Sequence, residues 1–366
     1  MNKLMLDTPC IVVDEAKLLQ NIERMQQTAN AAGISLRPHI KTHKTPEIAK
    51  LQLEAGAVGI TSAKLGEAEV MAEQGVSPIV IAYPIVGAAK LERLMRLTER
   101  AAITVAVDSI EVARGIAEAA AAAGRTISVW VEVDPGYGRV GVQPGEALER
   151  LGAALAELPG VRVTGVLTFG GQSYDAADDD ALRQVVHEEA RIAREAAATL
   201  RRLGCPVEAV SIGSTPASRL AAAMEGATEM RPGTYVFGDL TQVKAGAISL
   251  ADCALTVLAT VISRPAPDRA VIDAGTKVFT MDGEQSPLGT GRGYVLDHPG
   301  IEVAWFNEEH GVLHLPPEEQ GLQVGDKLQI IPVHCCAVVN MLDVIHLVRD
   351  TEVQRIWKIA ARGKVN

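Results

Sequence analysis

Aromatic side chains are scarce, at 3% of a 366-residue chain in which 48% of residues are hydrophobic. Ala, Val, Leu and Ile must therefore fill most of a sizeable core. Cysteine is sparse too. Cys10, Cys205, Cys253, Cys335 and Cys336 are odd in number and mostly scattered, which is no disulfide framework for a chain this long. No apolar run reaches membrane-spanning length. The opening Met1-Asn2-Lys3-Leu4-Met5-Leu6-Asp7-Thr8-Pro9 carries an apolar patch too short for a signal peptide. A basic excess is missing as well: the formal net charge is −10, which argues against nonspecific nucleic-acid binding. No low-complexity linker and no internal repeat beyond a β/α alternation is visible. The expectation is a soluble cytoplasmic protein without nucleic-acid or membrane partners, long enough for two domains.

What is present is regular. Short β-type runs alternate with longer Ala-, Leu-, Glu- and Arg-rich helical stretches. The β-type runs are 35–40, 58–62, 79–83, 103–107, 127–133, 163–169, 209–212 and 229–231. Helical stretches such as 64–74, 88–100, 110–123, 145–158 and 178–203 lie between them. Eight β-then-α units predict an α/β fold, a (β/α)8 TIM-type barrel, over residues 14–245. A run at 9–13 and a first helix over 15–32 precede that count. After about residue 245 helical periodicity fades, and β-like runs at 255–263, 270–272, 293–296, 311–315, 327–332 and 344–349 follow, separated by turn residues. They predict a C-terminal β-domain over 246–366, which residues 1–13 could join as an extra strand.

The working face of such a barrel is the C-terminal end of its strands. The chemically capable residues collect there. Strand one ends in Arg37-Pro38-His39-Ile40-Lys41-Thr42-His43-Lys44. In an extended run His39 and Lys41 share a face, which selects Lys41 over Lys44. Burial at the barrel mouth disfavours an ammonium and makes such a lysine a competent imine-forming nucleophile. Strand seven leads into Gly213-Ser214-Thr215, a turn with backbone N–H groups and two hydroxyls that suits phosphate; Ser and Thr also serve as plain helix caps. Arg231-Pro232-Gly233-Thr234 after strand eight strengthens the phosphate reading. Gly136-Tyr137-Gly138-Arg139-Val140-Gly141 has the wrong spacing for a dinucleotide fingerprint. Its Arg139 could meet a cofactor or simply pair with an acid. In Pro332-Val333-His334-Cys335-Cys336, an extended backbone would put His334 and Cys336 on one face, a pair suited to zinc. Buried cysteines acting as small hydrophobes are the competing reading.

At these residues the sequence resembles the D-threonine aldolase and D-serine dehydratase family, within the alanine-racemase-like (fold type III) pyridoxal-phosphate enzymes. The resemblance covers nearly the whole chain. It rests on Asp7-Thr8-Pro9, on the specific segment from Arg37 to Lys44, and on Ala63-Lys64-Leu65-Gly66-Glu67-Ala68-Glu69. It continues through Gly171-Gln172-Ser173-Tyr174, Ser211 to Thr215, Arg231 to Tyr235, and His334 to Cys336. It implies a homodimer acting on a small D-amino acid, with pyridoxal 5'-phosphate held as a Schiff base on Lys41. Arg139, Gln172, Tyr174, Gly213, Ser214, Thr215, Gly233, Thr234 and Tyr235 match positions lining the cofactor pocket. His334 and Cys336 match the positions of a divalent metal, zinc or manganese. His39, His43 and Tyr174 are candidates for the proton steps.

The implied activity is a lyase on D-β-hydroxy-amino acids, with two branches. Loss of the β-hydroxyl proton breaks Cα–Cβ, giving glycine and an aldehyde. Loss of the α-proton, with Lys41 as base, expels the hydroxyl and gives a 2-oxo acid and ammonia. Dehydratase members carry His-x-Cys and some aldolases His-x-Asp, so Cys336 leans toward the dehydratase. Chain length and the 63–69 segment lean toward the aldolase, which is the first expectation. A racemase of the same fold would need two bases and no metal. A non-catalytic cofactor-binding barrel would lack the large β-domain.

Overall fold

The computed structural model describes residues 1–283 and 285–366. The chain divides into two units. One comprises Met1–Glu23, Thr42–Glu47 and Thr234–Gly363; the other comprises Arg24–Lys41, Ile48–Gly233 and Lys364–Asn366. In chain order, β1 (Cys10–Asp14) leads directly into α1 (Glu15–Ala31).

The second unit is the expected parallel barrel. Its elements are β2 (Ser35–Leu36), α2 (Pro46–Glu54, whose first two residues belong to the other unit), β3 (Ile60–Ser62), α3 (Leu65–Glu73), β4 (Ile79–Ile81) and α4 (Ala88–Leu97). They continue with β5 (Ile103–Val107), α5 (Ile110–Ala122), β6 (Ile127–Glu132), α6 (Glu146–Ala156), β7 (Val161–Leu167), α7 (Asp179–Arg202), β8 (Ala209–Ile212) and β9 (Glu229–Met230). All eight strands are parallel, from β3 through β9 and back to β2. The ring closes between β2 and β3, where the Val58 N–H donates to Leu36 O and the Thr61 N–H to Pro38 O. The helix α2 was not anticipated, although Pro46 at its first position is a regular start signal. The long α7 is stabilised at both ends. Asp178 caps it by accepting the Ala181 N–H, Asp179 and Asp180 occupy the positive first turn, and Arg201 and Arg202 the negative last one.

The barrel interior is polar in layers. On β6, Ser128, Trp130 and Glu132 share one face. Ser128 bonds with Thr104 and Thr164 on the flanking strands, and Trp130 Nε1 donates to Thr164. Gly165 has no side chain because a Cβ there would stand 2.6 Å from that indole nitrogen. Arg37, from the strand four places round, lies over the Trp130 ring at 5.5 Å, a contact that can pass only through the inside. Its guanidinium pairs with Glu229 at 2.9 Å. Glu229 accepts the Ser211 hydroxyl, and Ser211 accepts from the fully buried Arg231. Arg231 also donates to Thr168 O. A buried ion pair is tolerated only when its remaining polar atoms are satisfied in this manner.

The first unit is built on the expected C-terminal β-domain. It contains α8 (Leu240–Lys244), β10 (Leu255–Ala266), β11 (Arg269–Ile272), α9 (Thr276–Phe279), β12 (Gly293–Val295), β13 (Glu302–Phe306) and β14 (Gly311–His314). β15 (Lys327–Pro332), α10 (Cys335–Met341), β16 (Val344–Arg349) and β17 (Glu352–Lys358) complete it. Strands β10, β11, β14, β13, β12 and β15 close into an antiparallel ring, since β10 pairs with both β11 and β15. The N-terminal strand does join this sheet: β1 pairs antiparallel with β10 and parallel with β16. Asp273 is a structural residue here, accepting the Thr8 hydroxyl at 2.6 Å and the Thr260 N–H at 2.8 Å. No helix of the described residues is long and apolar enough to cross a membrane.

Candidate active site

Lys41 stands beyond the end of β2, as expected, but not in an extended strand. It occupies a 3-10 turn, Ile40–Thr42, and its N–H donates to His39 Nδ1 at 3.3 Å. The alternation argument that joined His39 and Lys41 on one face therefore does not apply: strand pairing ends at Leu36, with His39 making only an isolated bridge to Thr61. What selects Lys41 is its direction. Its half-buried ammonium lies 5.8 Å from the centre of the Phe169 ring, just past the end of β7.

Arg139 reaches the same ring from β6, with its guanidinium carbon 4.4 Å from the Phe169 centroid and 6.0 Å from that of Tyr137. Tyr137 meets Phe169 edge-on at 5.5 Å. The loop carrying both residues is shaped by Asp134. Its Oδ1 accepts the N–H groups of Gly136, Tyr137 and Gly138, and its Oδ2 accepts Gln143 Nε2. Although burial disfavours the charge, these donors together hold the Asp134 carboxyl below its ordinary range. Gly141 must be glycine, because its φ is +114° and a Cβ would stand 2.6 Å from Asp134 N.

The turn after β8 is tied to the loop after β7. Gly213 has φ +88°. Its N–H and that of Gly170 both donate to Glu189 Oε1 on α7, as does the Thr168 hydroxyl. The Ser173 and Ser214 hydroxyls bond at 2.7 Å, and Ser214 Oγ accepts the Ala217 N–H. Ser214 thus caps the following turn, and Ser214 and Thr215 are buried. Arg231 does not face this turn; its guanidinium is used inside the barrel, which removes it from the expected phosphate set. Gln172 donates weakly to Pro135 O at 3.4 Å, while its buried Oε1 and Glu132 Oε2 have no hydrogen-bond partner among the described residues. Glu132 was not anticipated. It ends β6 on the interior face, and burial pushes its carboxyl up to about 7, against the pull of Arg139 and Arg231. A lysine amine, an arginine over an aromatic wall, a buried hydroxyl turn and two orphaned acceptors form a donor set that fits pyridoxal phosphate. His39, Lys41, Arg139, Gln172, Tyr174, Gly213, Ser214, Thr215 and Gly233 all belong to the barrel unit.

Thr234, Tyr235, His334 and Cys336 belong to the other unit. The expected extended run at 334–336 is instead a helix start. His334 is the N-cap of α10, with φ −136° and ψ 110°, and Cys336 lies in its first turn. The two side chains still meet through a hydrogen bond. Cys336 Sγ lies 3.2 Å from Thr42 Oγ1 and 3.9 Å from Thr234 Oγ1. Cys335 is fully buried and behaves as a small hydrophobe; burial raises its thiol well above the usual range. Burial opposes the His334 imidazolium, but Cys336, Asp239 and Asp282 push its pKa up to about 10. His334 Nδ1 bonds Asp282 Oδ2 at 2.6 Å, and the buried Asp239 accepts the Cys335 N–H at 3.0 Å. An imidazole beside a thiol is a borderline-soft pair that fits a divalent ion. No group of three His, Cys, Asp or Glu able to hold a metal occurs among the described residues, so an ion here would keep open positions.

A parallel barrel with a lysine at its C-terminal mouth, joined in one chain to a closed antiparallel β-barrel, defines the alanine-racemase-like class of pyridoxal-phosphate enzymes. Residues 13–241 match the alanine racemase N-terminal domain and residues 254–348 the putative serine dehydratase domain. The chain belongs to this family. It is 36% identical over 362 residues to the D-threonine aldolase of an Arthrobacter species, covering 98% of this chain and 93% of that one. It is 36% identical over 351 residues to the D-threo-3-hydroxyaspartate dehydratase of a Delftia species, covering 91% and 92%. The crystal structure of D-threonine aldolase from Filomicrobium marinum superposes with a TM-score of 0.90 at 34% identity, covering 99% and 97%. D-threo-3-hydroxyaspartate dehydratase has also been solved as a histidine-to-alanine mutant and, in a metal-free form, as a cysteine-to-alanine mutant two positions along. These relatives are lyases by name.

Proposed function

We propose that the chain is a pyridoxal-phosphate- and divalent-metal-dependent lyase of D-β-hydroxy-amino acids, acting first as a D-threonine aldolase. The observation that carries this reading is the convergence of Lys41 and Arg139 on the Phe169 ring beside the Glu189-braced Gly213 turn, in a chain matched from end to end by such lyases. The cofactor, held on Lys41, would supply an electron sink for negative charge developing at Cα. A metal on His334 and Cys336 would supply Lewis-acid polarisation of a β-hydroxyl. The Gly213-Ser214-Thr215 turn offers the anion site, with Gly233 of the same unit as a companion; Thr234 and Tyr235 are further cofactor-lining residues by resemblance. His39 accepts the Lys41 N–H through Nδ1, which leaves Nε2 as the ring atom for a proton step. Tyr174 remains the alternative proton carrier. A homodimeric cytoplasmic protein is part of the same reading.

The His-x-Cys pair supports a second reading, dehydration of D-serine or a related β-hydroxy acid to a 2-oxo acid and ammonia. Incubating the protein with cofactor and a divalent metal separates the two. Glycine and acetaldehyde from D-threonine support the aldolase; pyruvate from D-serine supports the dehydratase. Full activity after thorough chelation would remove the metal from the scheme.

A further inference from the structure

Glu132 is a buried acid at the barrel mouth to which the family resemblance assigns no role. It is the last residue of β6, on the interior face two residues beyond Trp130, at the end of the barrel where chemistry is done. Its side chain is only 3% exposed. One oxygen faces the Arg139 guanidinium at 3.9 Å; the other is buried without a hydrogen-bond partner among the described residues. Arg139 itself is half exposed, at 49%, with its guanidinium against Phe169, the ring that Lys41 also approaches. A half-exposed cation on a glycine-rich loop therefore stands between solvent and a buried carboxyl group.

We propose that Glu132 is a positioning residue for Arg139: its carboxylate draws the guanidinium down against the Phe169 wall, where Arg139 meets the bound cofactor. This rests on the pyridoxal-phosphate reading above and deepens it. The groups facing Glu132 are consistent with the role. Arg139 and Arg231 favour its charge, while Asp108 and Asp134 oppose it. Arg231 is already committed to Ser211 and Thr168, and Asp134 to the backbone of its own loop. Arg139 is left as the cation able to close on Glu132.

The test uses the full chain loaded with pyridoxal phosphate, and reads cofactor affinity and the visible absorbance band of the bound cofactor, not turnover. Glu132→Gln keeps shape and removes the charge; Glu132→Asp keeps the charge and serves if the first variant folds poorly. Arg139→Gln is made alone and in combination. If Glu132 acts through Arg139, each single variant weakens cofactor binding about tenfold and shifts the band, and the double variant is no weaker than Arg139→Gln alone. Equal affinity and an unshifted band in Glu132→Gln would overturn the proposal. So would additive losses in the double variant, or an effect of Glu132→Gln without any effect of Arg139→Gln; these would make Glu132 a barrel counter-ion. A native chain that binds no cofactor would instead refute the reading beneath it.

Discussion

Glu189 offers the sharpest quantitative test of how the barrel mouth is braced. A single oxygen, Oε1, accepts the Thr168 hydroxyl at 2.8 Å, the Gly170 N–H at 2.9 Å and the Gly213 N–H at 3.2 Å. The residue is 2% exposed, so in the native chain the carboxylate and not bulk water satisfies these donors. Glu189→Ala leaves three buried donors unsatisfied, each costing about 1–3 kcal/mol. Relief from burying a charge offsets part of that, and the net loss is expected near 3–5 kcal/mol, as for breaking a buried pair. Glu189→Gln keeps a carbonyl oxygen for the same donors and loses mainly its attraction to buried Arg231; about 1–2 kcal/mol is expected. Chemical denaturation measures both. Because Gly213 opens the hydroxyl turn, cofactor affinity should fall in the Gln variant by about tenfold, or 1.4 kcal/mol. An alanine variant with an unchanged denaturation midpoint and unchanged affinity would refute the bracing argument.

Lys41→Ala should abolish borohydride fixation of cofactor onto the chain and lower turnover by at least about a hundredfold, read by mass spectrometry and product assay. Gly171→Ala would set a Cβ 2.4 Å from the Tyr137 ring; since Tyr137 is partly exposed and can swing away, cofactor affinity should drop while the melting temperature moves by only a few degrees. Glu132 keeps its proton to about pH 7 when folded but releases it near about pH 4.3 when unfolded. The folded state thus binds more protons between those values, and stability should fall as pH rises through that window. Melting curves at about pH 5 and 8 should show the drop in the native chain and a flatter response in Glu132→Gln. Cys336→Ala should leave the fold intact and lower lyase activity to the level that chelation leaves in the native chain, whereas a racemase without metal would keep full activity in the variant.

Most barrel strands and the β-type tail were legible because those strands are largely apolar and most of the following helices periodic, whereas β2 and β9 shrink to Ser35–Leu36 and Glu229–Met230. Strands β13 and β17 escaped notice because they are half exposed and carry charges such as Glu302, Glu352 and Arg355 among their apolar residues. Lys41 was legible from its segment, yet its turn was not, because strand pairing stops at Leu36. The 334–336 run read as extended, since its residues carry no strong helix signal; Asp239, far away in sequence, accepts the Cys335 N–H at the head of α10. Glu132, Asp134 and Glu189 look like ordinary acids in a sequence holding 45 of them. Only the fold decides which carboxylates lose water and which backbone donors they collect.

The Arg37–Glu229–Ser211–Arg231 chain inside the barrel has a consequence for how this sequence can drift. Each member satisfies the next, so replacing any one strands a buried partner and costs about 3–5 kcal/mol. That is a large share of the roughly 5–15 kcal/mol by which a folded domain exceeds its unfolded state. Exchange to an apolar interior is therefore open only by concerted change at several positions, while the surface helices can vary one residue at a time. Substitutions at positions 37, 211, 229 and 231 should be strongly epistatic, and a library varying them jointly should recover combinations that no single-site scan would accept.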